Sequence, residues 1–299
     1  MRWEDFRTSD NVEDRRGEGG GGGFGFPGGG AGGLGIGTIV ILCIIGWVTG
    51  INPAILIGGA ETVTRQRAPQ EQQGQQPDRR TGAPSDQTGK FAAAILGNTE
   101  DVWNQVLPNQ TGRQYTPTTM VLYTGGTRSG CGQARAAMGP FYCPLDKKVY
   151  LDTSFFKEME QKFRVKGDFA YAYVIAHEVG HHVQDVLGIL PKVQRKQQQV
   201  GERESNALSV RVELMADCLA GVWAKNSDDR FKALEPGDIE EAMQAASAIG
   251  DDRLQKQSQG YVVPDSFTHG SSAQRMRWFQ TGYRSGQTQS CDTFRASQL

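Results

Sequence analysis

Apolar residues recur every three to four positions through FAAAILGNTEDVWNQVL, at Ala94, Ile95, Val102, Trp103 and Val106, which predicts a helix from Phe91 onward. Thr119–Thr124 and Lys148–Asp152 are short β-branched and aromatic runs bounded by turn residues, and read as strands. Phe141–Cys143 precedes the second of them across a Pro144–Lys147 turn. Beyond, Phe169–Ile189 and Asn206–Lys225 read as two long helices, and Asp238–Ala248 and Ser271–Tyr283 as shorter ones. Ser271 with Gln274 has the spacing of a capping box, which marks the start of the last helix. The pattern predicts an α+β domain, mainly helical, with a small antiparallel sheet.

Three segments before residue 91 have different patterns. Met1–Glu18 is polar and mixed in charge, and Gly17–Gly37 is dominated by glycine. Such a composition cannot bury enough apolar surface to offset its ordering entropy, so residues 1–35 are expected to be disordered. Ile36–Ile57 is largely apolar and free of charge, about the length of one helical bilayer crossing, and residues 36–58 are expected to form a transmembrane helix. The run begins too far into the chain for a cleaved signal peptide. Residues 59–90, rich in Gln, Pro, Arg and Ser, read as a flexible linker, leaving 91–299 as the folded domain.

Composition narrows the function classes. The formal charge of −1 gives no basic footprint, which excludes a nucleic-acid role as the first expectation. Arg2, Arg7, Arg15 and Arg16 before the apolar run are balanced by Arg65, Arg67, Arg79 and Arg80 after it, so charge does not orient the chain in a membrane. Cys43 lies inside the run. Cys131, Cys143, Cys218 and Cys291 allow three pairings; Cys131–Cys143 with Cys218–Cys291 is favoured, because the first two flank a local turn. Disulfides would place the domain outside the cytosol.

The chemistry concentrates in AHEVGHH. His177 and His181 are four residues apart, so on a helix both imidazoles reach one side, where they can share a metal ion; Zn2+ suits such nitrogen ligands. Glu178, beside the first ligand, is placed to act as a general base on an attacking water. Three of the four histidines of the chain fall in this turn. His182, about 100° further round the helix, has a structural role as its simpler reading. A catalytic zinc needs a third protein ligand. Glu213 and Asp217 in RVELMADCLAGVW are again four apart, on an otherwise apolar helix where two acids need cationic partners. A salt-bridged pair, with Arg203 and Arg211 available, is the alternative.

HExxH followed by a helix carrying ExxxD resembles the gluzincin metallopeptidases. The strings HEVGHH, RVELMADCLAGVW, GPFYCPLDKKVYLD and HGSSAQRMRWF, with the glycine-rich start and single apolar span, resemble the bacterial neutral zinc metallopeptidase family. The resemblance implies a zincin-like fold, Glu213 as third zinc ligand and Asp217 as the residue orienting a ligand histidine. It also implies hydrolysis of a peptide or protein substrate, and anchorage in a bacterial inner membrane with the catalytic domain facing the periplasm or exterior. His269, in SFTHGSS, resembles the histidine that helps stabilise the oxyanion in membrane gluzincins, with Arg275 and Tyr173 as further candidates. By analogy with zincin folds, Lys148–Asp152 is expected to be the edge strand that aligns substrate. The competing readings are a membrane-tethered module with a structural metal, and a degenerate peptidase that binds proteins without cleaving them. Substrate specificity and oligomeric state are not legible in the sequence.

Overall fold

The computed structural model describes residues 1–17, 80–81 and 84–299; the expected membrane helix at 36–58 and most of the linker lie outside the described residues. The chain opens with a turn of 3-10 helix at Trp3–Asp5 and strand β1, Val12–Asp14, followed by β2, Arg80–Thr81. Helix α1 runs from Gln87 to Thr111, four residues earlier than the apolar spacing predicts, because the Asp86 side chain caps it by accepting the Gly89 N–H. Strands β3, Thr119–Tyr123, β4, Gly126–Ser129, β5, Gly132–Arg135, β6, Phe141–Cys143, and β7, Lys148–Asp152, come next. The rest is helical: α2, Phe155–Glu158, α3, Asp168–Val186, α4, Ile189–Gln197, α5, Glu202–Phe231, α6, Asp238–Ala248, α7, Asp251–Gln259, and α8, Ser272–Ser285. The predicted long helix at Phe169–Ile189 stops at Val186, since Gly188 turns left-handed and α4 begins in a new direction. The capping box of Ser271 and Gln274 is formed.

The main sheet is mixed, in the order β2-β1-β3-β7-β6, which corrects the expected antiparallel sheet. The helix α1 lies between β1 and β3 in sequence and returns the chain to the same end, so those strands pair in parallel. β3 and β7 are also parallel, while the tight turn before β7 makes β6 antiparallel to it; β4 and β5 form a separate hairpin. Lys148–Asp152 is therefore an interior strand, and the sheet edge on that side is β6.

A second correction concerns the first half of the segment expected to be disordered: Met1–Arg16 is built into the domain, while residues 18–35 lie outside the described residues. Val12 is 1% exposed and pairs in register with Met120. The Glu100 carboxylate of α1 accepts hydrogen bonds from Ser9 Oγ, Asn11 Nδ2 and Arg7 Nη2, each at 2.7 Å. A Cβ at Gly97 would lie 2.5 Å from the Arg7 carbonyl, so α1 can receive this segment only where a side chain is missing. The Met1 amino group pairs with Glu235 at 2.9 Å, and Trp3 Nε1 donates to Asp168 at the start of α3. The folded unit thus combines residues 1–17 with the chain beyond residue 84, rather than starting at 91.

Both favoured disulfides are present. Cys131–Cys143 ties the β4–β5 hairpin to β6, and Cys218–Cys291 ties α5 to the C-terminal tail across a separation of 73 residues. Closing the longer loop restricts the unfolded chain more, by about 4 kcal/mol against about 3 for the shorter one on the chain-entropy account. The double variant Cys218→Ala/Cys291→Ala is expected to melt roughly 10 °C lower, and Cys131→Ala/Cys143→Ala less far below wild type, in thermal denaturation followed by circular dichroism. Equal losses would show that loop length does not set the difference.

Candidate metal centre

Helices α3 and α5 carry the site. Phe169, Ala172, Val179 and Val183 of α3 and Val212, Leu214, Leu219 and Val222 of α5 are all buried in the shared core. Gly180, between the two histidines of the HExxH turn, lets the helices close: a Cβ there would meet the Ala216 carbonyl at 3.1 Å. The close approach brings the polar faces of the two helices together. His177 Nε2 lies 3.1 Å from Glu213 Oε2, and His181 Nε2 lies 3.5 Å from Glu213 Oε1. One ligand atom from each of the three residues falls within 4.8 Å of the others. Two atoms bound tetrahedrally to one zinc at 2.0–2.1 Å would be roughly 3.4 Å apart, so this donor set fits that ion.

Surrounding side chains hold both imidazoles in place. His177 Nδ1 is 2.8 Å from Asp217 Oδ1. Asp217 is itself gripped by Arg275, through Nε to Oδ2 at 2.8 Å and Nη2 to Oδ1 at 2.9 Å, and by the Tyr173 hydroxyl at 2.5 Å. Burial disfavours the Asp217 anion, but Arg275 and His177 outweigh it and hold its pKa down at about 2. A carboxylate on Nδ1 fixes the ring and turns the Nε2 lone pair toward the metal position. Nε2 and the Glu213 carboxylate then face each other as two acceptors, an arrangement that needs a proton or a cation between them. Burial opposes a charge on His177, yet Asp217 and then Glu213 raise its pKa to about 10, and the imidazoles of His181 and His177 keep buried Glu213 well below the usual carboxylate range. Metal uptake must displace protons here, so affinity falls as the pH drops.

The expected residues His177, His181, Glu213 and Asp217 are thus brought together. Arg203 and Arg211 do not pair with the two acids: Arg203 lies against Asp265, and Arg211 donates to the Thr293 carbonyl. Glu178 is 8% exposed and follows His177 directly on α3. His269 stands close enough to Glu213 for their charges to interact. Tyr173 and Arg275 are buried behind Asp217, so they support the ligand shell rather than face substrate as oxyanion donors. His182 sits in a structural contact, between the Tyr142 hydroxyl at 3.1 Å and the Thr116 carbonyl at 2.6 Å.

Two contributors escaped sequence reading. Gln184 Oε1 lies 3.1 Å from His181 Nδ1, while its Nε2 donates to the Val212 carbonyl and ties the ligand to α5. Its position three residues after His181, on the same helix face, was the available signal. Asp251, at the start of α7, accepts the backbone N–H groups of Thr268, His269 and Gly270 on Oδ2 and faces His269 Nδ1 at 3.2 Å from Oδ1. Nothing local in the sequence links it to a histidine 18 residues away.

Comparison with known proteins agrees with this site. A family model described as "Putative neutral zinc metallopeptidase" matches residues 1–294. The chain is 50% identical over 294 residues to the uncharacterized protein YpfJ of Escherichia coli K12, covering 98% of this chain and 99% of that one. It is 43% identical over 231 residues to the uncharacterized protein Rv2575 of Mycobacterium tuberculosis H37Rv, covering 74% and 75%. No solved structure matches the chain.

Proposed function

Since the chain belongs to the neutral zinc metallopeptidase family, we propose that it is a zinc-dependent endopeptidase that hydrolyses peptide bonds with Glu178 as general base. The observation that carries this reading is the convergence of two imidazoles and one carboxylate from separate helices, with the imidazoles oriented from behind by Asp217 and Gln184. His177, His181 and Glu213 would hold the ion. A bound zinc supplies Lewis acidity, which polarises a carbonyl and makes water a better nucleophile at neutral pH. Glu178, next to the first ligand, takes the proton from the attacking water and delivers it to the departing amine.

His269 carries the opposite task. Burial opposes its protonated form, but Asp251 and Glu213 raise its pKa, which favours a ring able to donate to the oxygen that becomes negative as the carbonyl is attacked. Asp251 holds that ring and the loop under it. His269→Ala is expected to lower kcat by roughly 100- to 1000-fold, with KM and zinc content little changed, since the donor acts on charge that develops in the transition state. Loss of zinc in that variant, read by elemental analysis, would instead make His269 part of the metal shell.

A structural metal would have all four positions closed by protein. Among the described residues only three donors form the cluster, which favours the catalytic reading. Digestion of a peptide library by the full chain tests the activity. Cleavage should stop with a zinc chelator and return with added zinc; cleavage indifferent to the chelator would refute it. Disulfides at Cys131–Cys143 and Cys218–Cys291 support a domain on the oxidising side of the envelope.

A further inference from the structure

Among the described residues few large apolar side chains are exposed, and Tyr261, Val262 and Val263 are three of them in succession, Tyr261 at 62%. They lie between α7 and the His269 loop. Their exposure is built in rather than left over from a frayed end. Gly260 closes α7 with a left-handed turn, and Gln255, itself buried, takes the Val263 N–H on Oε1 at 2.8 Å. The Gln255 amide donates in turn to Ser266 Oγ at 2.9 Å, and that hydroxyl donates to the Val263 carbonyl at 2.8 Å. The backbone is thus fixed while its large side chains face solvent.

The segment that follows runs along the helix carrying Glu213. Asp265 is held at the start of α5, its carboxylate by Arg203 Nε at 3.2 Å and its carbonyl by Asn206 Nδ2 at 3.2 Å. Further on, Gly270 lies against α5 so closely that a Cβ there would be 3.1 Å from Leu214 Cδ2 and 3.4 Å from Val210 Cγ1. Arg203, Asn206, Val210 and Glu213 follow at intervals of three and four, so they form one stripe of α5. Helix α4 takes the neighbouring stripe, through Gln197 to the Ser205 carbonyl and to Ser209 Oγ. Residues 261–266 are therefore one flank of the stripe that ends at Glu213. Asn206 and Glu213 are about 10 Å apart along the helix axis, the reach of roughly three residues of extended peptide.

We infer that Tyr261, Val262 and Val263 form a substrate subsite, which takes a large apolar side chain roughly three to four residues from the scissile bond. The inference rests on the peptidase reading and names its class of substrate: an extended peptide with an aliphatic or aromatic residue at that distance from the cut. The occupant follows from continuity with the metal centre. The backbone that displays the three side chains leads directly to His269, and it is pinned at both ends, by Gln255 at Val263 and by Asp251 at His269. Covering exposed apolar surface favours binding in proportion to the area removed from water. A peptide held at the metal position and extended along this stripe of α5 supplies that cover.

The test is a peptide-library digest by the zinc-loaded full chain, read by mass spectrometry, beside the variant Tyr261→Ser/Val262→Ser/Val263→Ser. Serine at 263 keeps the backbone N–H that Gln255 holds, and the replaced side chains are exposed, so the variant should melt within a few degrees of the parent. Sites cut by the parent should be enriched in Leu, Ile, Phe or Tyr roughly three to four residues to one side of the cut, and the variant should lose that enrichment. For one such peptide KM should rise roughly 10- to 100-fold in the variant with kcat little changed, because a remote apolar contact binds substrate and transition state alike. A peptide with Ser at that position should show no change. Cleavage without the enrichment, or an enrichment that survives in the variant, would overturn the inference and leave the peptidase reading standing. A parent that cleaves nothing would overturn both. A variant with altered oligomeric state but an unchanged cleavage profile would give the patch to a second copy of the chain, and would overturn the inference too.

Discussion

Glu178→Gln is expected to lower kcat for peptide hydrolysis by roughly 100- to 10,000-fold while leaving one zinc bound, because the amide keeps the shape but cannot accept a proton. The separation of the two effects follows from the site. His177 and His181 are aimed by Asp217 and Gln184, and Glu213 comes from another helix, so the metal position does not depend on Glu178. Glu213→Ala should behave differently: it removes a donor and leaves two buried imidazoles without their carboxylate, so metal and activity fall together. Paired measurements of kcat and zinc content on purified variants check both. Near-normal turnover in Glu178→Gln would exclude it as the base, and zinc loss there would make it a ligand.

Removing the N-terminal segment is expected to unfold the domain. A chain of residues 91–299 lacks β1, which exposes the edge of β3 and strips the cover from Met120 and Leu122. It also strips Glu100 of the hydrogen bonds from Ser9, Asn11 and Arg7, and bonds to a charged group contribute about 1.5–3 kcal/mol each. Together with the lost apolar burial this consumes most of a typical stability of about 5–15 kcal/mol. The truncated chain should be aggregated or lack a cooperative thermal transition. A chain in which residues 18–79 are replaced by a short Gly/Ser linker should melt near the parent. Comparable melting of the 91–299 chain would show that β1 adds little.

The sequence carries the centre of this molecule better than its periphery. His177 and His181 on one helix face, and Glu213 with Asp217 on another, are visible because a metal shell built on helices leaves a spacing of four in the chain. The helices themselves are visible wherever one face is apolar; α7, polar at most positions of DDRLQKQSQ, was missed for that reason. Strand direction is not visible at all, since β3 and β7 look the same whether they run parallel or antiparallel. Met1–Arg16 misled because its order comes from partners far along the chain: Glu100, Asp168, Met120 and Asp238. A polar segment next to a glycine run has the composition of a tail, and only tertiary pairing makes it a strand. Asp251 was hidden for the same reason, its role being set by a fold that brings α7 beside the His269 loop.

Zinc-edge anomalous diffraction from crystals of the full-length chain, grown with one equivalent of zinc, tests the metal assignment most directly. A single strong peak bonded to Nε2 of His177, Nε2 of His181 and the Glu213 carboxylate is the predicted result. A zinc held by other residues, or one bound to the histidines with Glu213 turned away, would contradict it.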